Sequence, residues 1–221
     1  MSDLGVQYAR ARSEWIDQAH ARLVADERVG AAMLSGSLGR GRGDAWSDVD
    51  LLVVVRADAA AQTIAGRDAF VRPFGTALMA FDSPWNAPLD GGQVNALYDV
   101  GVNWLLYVDW DLWPAGRGAI TSDVMVLFDR IALPTFDGTL DEYRQWPRAP
   151  WAEPTPEFIR RARLAMLPII LKCVMRGDVE RIRRMLDNLG AESPRALWEM
   201  VRTDCDRALR DALDRMIAVA A

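Results

Sequence analysis

The sequence predicts an α+β protein, with a mixed sheet in its first part and a helical bundle after it. Three observations predict this. Leu51–Val55 is a continuous apolar run of strand length, the pattern of a central strand buried on both faces. Further strand-length runs follow it at Ala77–Phe81, Val94–Tyr98, Val102–Leu112 and Val124–Phe128, separated by turns that carry Pro or Gly. Beyond a Pro-rich passage, Trp146–Pro156, the pattern is helical to the end, broken at Gly177 and again around Gly190–Pro194. The passage reads as a linker, which divides the chain into residues 1–150 and 151–221.

The remaining elements follow in chain order. Tyr8, Trp15, Ile16, Ala19 and Leu23 recur at helical spacing, so residues 3–27 form an amphipathic helix. Val29–Leu34 is a short apolar run stopped by Ser35-Gly36-Ser37, a strand entering a turn. Ala57–Phe70 reads as one helix.

Composition narrows the function classes. A chain of 221 residues with 51% hydrophobic and 26% charged residues can bury a core without disulfides or a structural metal. Its two cysteines, Cys173 and Cys205, are far apart and lack the spacing of a zinc site. With no apolar leader and no uncharged run near the ~18 residues of a membrane span, the expectation is a cytoplasmic protein that meets no membrane. The net charge of −5 argues against nucleic acid as a partner. Charge is uneven: residues 1–150 hold 13 basic and 20 acidic side chains, and residues 151–221 hold 13 and 11. Such asymmetry suits a cleft with a cation on one wall and a polyphosphate on the other, although scattered surface charge would give the same counts.

One segment carries chemistry. Gly36-Ser37 follows a strand, and after a spacer of ten residues come Asp48 and Asp50 at the mouth of Leu51–Val55. Backbone N–H groups at a Gly-Ser turn, with the serine hydroxyl, can hold phosphate oxygens. Residues two apart on a strand share a face, so the two carboxylates converge, and converging carboxylates call for a cation between them. Hard divalent ions with oxygen ligands fill that role, Mg²⁺ above all. The stretch lacks the Gly-Lys-Ser/Thr ending of a P-loop and does not open a long helix as a dinucleotide fingerprint does. Turn residues flanking a strand would also account for Asp48 and Asp50 taken alone.

From Gly36 to Asp50, with Arg40-Gly41 and Ser47 between, the sequence resembles the nucleotidyltransferase superfamily of the DNA polymerase beta type. Its layout is similar to the aminoglycoside and lincosamide adenylyltransferases of that superfamily, antibiotic-resistance enzymes that pair the catalytic domain with a C-terminal helical bundle. The resemblance implies a Mg²⁺-dependent transferase with one or two ions. It would move a nucleoside monophosphate from a triphosphate, ATP in the adenylyltransferases, to a hydroxyl of a small acceptor. It makes Asp48 and Asp50 metal ligands, Gly36 and Ser37 phosphate-positioning residues and Arg40 a source of positive charge. It also implies a third carboxylate on a neighbouring strand. Asp109 and Asp111 are the candidates and the sequence does not decide between them: Asp109, which follows the most regular apolar run, is favoured as metal ligand, and Asp111, nearer the open rim, is then either the general base or a surface residue. Small domains of the superfamily also serve as regulatory or antitoxin-like modules that modify or bind a partner protein; they are shorter and lack a fused bundle.

The helical part adds Lys172. It is the only lysine in a chain with 25 arginines, and it ends the apolar run Leu164–Leu171. An ammonium in an apolar helix needs a counter-charge. By the resemblance, Lys172 and the following Arg176-Gly177-Asp178 face nucleotide phosphates; by local rules, Gly177 stops the helix and Asp178 caps the next. Trp85, Trp110 and Trp113 are candidate pocket walls. Asp82, Asp90 and Asp99 suggest a polycationic acceptor such as an aminoglycoside.

Overall fold

The computed structural model describes residues 3–83, 90–144 and 154–220. Its elements are α1 (Asp3–Ala25), β1 (Val29–Leu34), α2 (Gly36–Gly39), β2 (Val49–Val55), α3 (Ala60–Ala65), α4 (Arg67–Val71), β3 (Thr76–Asp82), β4 (Gly92–Asp99), β5 (Leu105–Pro114), β6 (Met125–Asp129), α5 (Leu140–Tyr143), α6 (Pro156–Arg176), α7 (Val179–Leu189), α8 (Pro194–Val201) and α9 (Arg207–Ala220). The protein is α+β. Most of the Pro-rich passage, with the 150/151 boundary, lies outside the described residues, as does Trp85.

Among the described residues six strands form one mixed sheet in the order β3-β4-β5-β2-β1-β6. β2 and β5 run parallel, and the other neighbours are antiparallel. The last five residues of β2, Leu51–Val55, are all buried, as a continuous apolar run at the centre of a covered sheet must be. The parallel register sets Val49 opposite Val108 and Asp50 opposite Asp109.

Two expected elements have different bounds. The helix expected over Ala57–Phe70 is two short helices divided at Gly66, which caps the first and precedes the second; glycine is a poor helix former. The strand expected over Val102–Leu112 is Leu105–Pro114, which places Asp111 inside the strand rather than at its tip.

Strand alternation divides β5 into two faces. Trp110 packs under α1 against Trp15 and against Phe74, at ring distances of 5.8 and 4.6 Å. Its indole N–H donates to the Tyr98 hydroxyl, which donates to the Val71 carbonyl. The opposite face carries Asp109 and Asp111. There α6 crosses β3, β4 and β5, and α7, α8 and α9 pack against α6. Leu167, Ile170, Leu171, Trp198 and Met216 belong to the same apolar core as Val53, Leu106 and Trp110, so sheet and helices share one interior.

The local rules at the end of α6 hold. Gly177 adopts the left-handed conformation at φ +70°, and the Asp178 carboxylate accepts the Arg181 N–H at the start of α7. Among the described residues no helix is long and apolar enough to cross a membrane.

Candidate functional site

The site is built where β1 ends and β2 begins. The Ser35 N–H donates to the Asp50 carbonyl at 2.8 Å, carrying the β1–β2 pairing one step past the strand. The chain then turns through Gly36, whose φ is +61°. A Cβ there would lie 1.9 Å from Asp50 Oδ2, so only glycine lets this turn sit against that carboxylate. Ser37 follows in the single turn of α2.

The loop from Arg40 to Asp48 is tied down from two sides. Arg12, buried on α1, donates to the carbonyls of Asp44 and Ser47 at 2.9 and 3.0 Å. Arg176, at the end of α6, donates twice to the Asp44 carboxylate, both at 2.7 Å. These bonds, with one from the Ser47 hydroxyl, hold Asp44 down at about 2.

Gly36, Ser37, Arg40, Asp48, Asp50 and Asp109 line one cavity of about 510 Å³, together with Arg42, Tyr107, Arg176 and Arg181. A smaller cavity of about 230 Å³ joins it at Asp50 and Asp109 and reaches Asp111 and Arg144. A third, of about 500 Å³, runs from Asp109 between the sheet and α6–α7, with walls of Phe81, Met166, Ile169 and Met185 and the amides of Gln93, Asn95 and Asn188. Asp109 borders all three.

The carboxylates differ in their partners. Asp44 pairs with Arg176, Asp111 with Arg144 and Asp123 with Arg40. Asp48 is in direct contact with the Lys172 ammonium. Asp50 and Asp109 stand side by side across β2 and β5 with no ion-pair partner among the described residues. Burial pushes the Asp50 carboxyl up, with Arg144 and Arg40 opposing. Burial pushes Asp109 far above the ordinary carboxylate range, and the charges of Asp50 and Asp111 push it further. The charge of Arg144, and after it a hydrogen bond from the Tyr107 hydroxyl, partly offset this. Burial raises Asp111 to about 6 against the pull of Arg144.

Several expectations need correction. Asp111 is not nearer the open rim: it is 6% exposed, the deeper member of the pair, and covered by Arg144. Trp110 is on the α1 side of the sheet and walls no pocket, because it alternates with Asp109 and Asp111. Trp113 is fully buried in a second apolar cluster with Leu52, Val54 and Leu140, where the Arg144 guanidinium lies over its ring. Asp82 pairs with Arg67, Asp90 pairs with Arg117, and Asp99 accepts the Gly101 N–H. None of the three lines the cavities at Asp109, so they lend a polycationic acceptor no support.

Sequence reasoning missed Arg12, Tyr107 and Arg144. Arg12 had a signal, an arginine on the same helical face as Tyr8, Trp15 and Ala19. Tyr107 had one too, since it shares its strand face with Asp109. Arg144 had none.

Among the described residues no three His, Cys, Asp or Glu side chains form a ready group for a metal ion. The donor chemistry nevertheless fits a hard divalent cation. Asp50 and Asp109 are adjacent and, among the described residues, have no ion-pair partner, and one buried oxygen on each of Asp109 and Asp111 has no hydrogen-bond partner there. Asp48, the natural third donor, is taken by Lys172. Compared with known protein families and with curated proteins, the chain matches none.

Proposed function

We propose that this protein is a Mg²⁺-dependent nucleotidyltransferase, in which a domain built on the sheet and a C-terminal helical bundle enclose the cleft. It moves a nucleoside monophosphate from a triphosphate, ATP in the first instance, to a hydroxyl of a small acceptor. The observation that carries this reading is the parallel register of β2 and β5. It joins two cation-seeking carboxylates, Asp50 and Asp109, at a Gly36-Ser37 turn that only glycine allows.

In this reading Asp50 and Asp109, with Asp48, hold the metal. Bound there, a divalent ion neutralises phosphate charge and polarises the phosphorus under attack. Gly36 and Ser37 position the outgoing phosphates. Arg40, Arg42 and Arg181, which line the same cavity, offset their charge. The acceptor oxygen attacks the α-phosphorus, the bond to the β-phosphate oxygen breaks, and pyrophosphate leaves. The acceptor proton passes to Asp111, whose affinity near pH 6 suits a general base and whose other oxygen Arg144 fixes. The third cavity, with apolar walls and amide side chains, takes an uncharged ring in preference to a polycation.

The test is a thermal shift with a labelled-transfer assay. Mg²⁺ with ATP should raise the melting temperature, since a ligand that binds only the native state stabilises it. The Asp50→Asn, Asp109→Asn double variant, which leaves the Lys172–Asp48 pair in place, should keep its fold and lose the Mg²⁺-dependent part of that rise. An unchanged metal-dependent rise would remove the pair from the site. Pyrophosphate release against pooled hydroxylated acceptors identifies the reaction.

A further inference from the structure

Lys172 does not meet its need for a counter-charge in solvent. Its side chain is 1% exposed, its ammonium touches an Asp48 oxygen, and it sits 5.5 Å above the centre of the Tyr107 ring. Asp48 is 26% exposed and borders the cavity that holds Asp50, Asp109 and the Gly36-Ser37 turn. The ammonium therefore stands where a cation at the first carboxylate of Asp48-x-Asp50 would act. Around it the chain uses arginine throughout: Arg176 on Asp44, Arg144 on Asp111, Arg40 on Asp123. Those guanidiniums are rigid forks suited to staying in place, and all three pair with carboxylates the reading above does not give to the metal. A lysine is a compact point charge on a flexible stem, which can exchange one anion for another by rotation.

We propose, building on the function above, that Lys172 is a resident counter-cation of Asp48 which a divalent metal must displace, and that the displaced ammonium then pairs with the phosphates accompanying that metal. A buried ammonium that loses its carboxylate is strongly destabilised until another anion reaches it. Metal alone thus binds against the ion pair. Metal with a polyphosphate binds with its help, because each ligand supplies the counter-charge that the other removes. The two sites are coupled through one side chain, and that coupling is reciprocal.

The test compares the wild-type chain with Lys172→Met by calorimetry, with Mg²⁺ and inorganic tripolyphosphate as probes. Mg²⁺ alone should bind the variant at least about fivefold more tightly, because Asp48 is released. Tripolyphosphate with EDTA should bind both proteins alike, since Lys172 is then held by Asp48. With saturating Mg²⁺ the variant should bind tripolyphosphate at least about fivefold more weakly. Equal or weaker Mg²⁺ binding by the variant overturns the proposal. So does a loss of tripolyphosphate affinity that is the same with and without Mg²⁺, the mark of a plain phosphate ligand. Should the variant fail to fold, the wild type alone decides. Its single lysine gives one ¹³Cε resonance in lysine-labelled protein; that signal must move when Mg²⁺ and tripolyphosphate are added together, and a signal unmoved at saturation overturns the exchange. Transfer activity is a separate readout. A protein with the three-way binding pattern and no transfer keeps the exchange and loses the reading of its reaction. An active transferase whose Mg²⁺ affinity ignores Lys172 does the reverse.

Discussion

Gly36→Ala separates the two reasons for a glycine in the turn. At φ +61° an alanine enters the left-handed region, which costs an L-residue about 1–2 kcal/mol. About 0.4–1 kcal/mol of that returns through the stiffer unfolded chain. The new Cβ also falls 1.9 Å from Asp50 Oδ2 and 2.7 Å from its Cγ, so the carboxylate must leave its place. Overpacking of that kind costs about 1–3 kcal/mol more. Gly41 is the control: its φ is +65°, and nothing lies within 4 Å of an added Cβ. Gly41→Ala should therefore cost about 1 kcal/mol and Gly36→Ala about 3 kcal/mol. In a chain of this size the difference is worth roughly 4–8 °C of melting temperature.

Urea denaturation of both variants, alone and in an Asp50→Ala background, checks the account. Without the Asp50 carboxylate, the cost at Gly36 should fall to that at Gly41. Gly36→Ala should also lose the Mg²⁺-ATP thermal shift, which Gly41→Ala keeps. Equal costs at the two glycines, or no relief from Asp50→Ala, would refute the claim that the turn is shaped by its approach to Asp50.

Arg176→Gln should flatten the acid limb of the stability profile. The Arg176 bonds hold Asp44 at about 2, below its ordinary 3.8, so their stabilisation is present above 3.8 and is lost as pH falls through about 2. Asp44 is half exposed, which limits the effect to under about 1 kcal/mol; an unchanged slope between pH 5 and 2 in urea titrations counts against it. Asp109→Asn should raise the melting temperature more at pH 8 than at pH 5, because a raised folded-state value means the wild type loses stability as pH climbs through it. The same variant should lose metal binding and turnover together. Asp111→Asn should lower kcat while metal and nucleotide binding stay nearly unchanged; reversed phenotypes exchange the two roles.

Local pattern made much of this molecule legible. Leu51–Val55 is a central strand because five apolar residues in a row suit burial on both faces. Gly177 and Asp178 stop and start helices because their conformations are set within one turn of chain. What escapes local pattern at Asp111 and Lys172 is set by distant contacts. A strand ending at Leu112 puts Asp111 at a rim; two more residues of pairing with β2 move it inside, and Arg144 closes over it from 33 residues away. For Trp110 the signal is local: alternation alone sends it to the face opposite Asp109, away from the cavities. The cost of burying Lys172 is legible in its apolar helix, while the partner that meets that cost lies 124 positions earlier, beyond any sequence window.

Charge in the cleft follows one arrangement. Each carboxylate on its border that meets an arginine is occupied by a group that never gives up its proton: Asp44 by Arg176, Asp111 by Arg144, Asp123 by Arg40. Asp48 meets the only lysine, whose hold can be exchanged. Among the described residues Asp50 and Asp109 have no ion-pair partner; burial pushes both toward the protonated form, Asp109 further by its neighbours' charge, against the more distant pull of Arg144. Had these two been ordinary surface residues, water would have screened them; had they been structural, an arginine would have met them as elsewhere. A half-buried pair of carboxylates without an ion-pair partner, beside a third held by a movable one, is stabilised by protonation or by a bound cation. Mg²⁺ should therefore release protons when it binds. Calorimetry at pH 5, just above the ordinary carboxylate range, in two buffers of different ionisation enthalpy measures that release, and an observed heat independent of the buffer would count against Asp109 as a ligand.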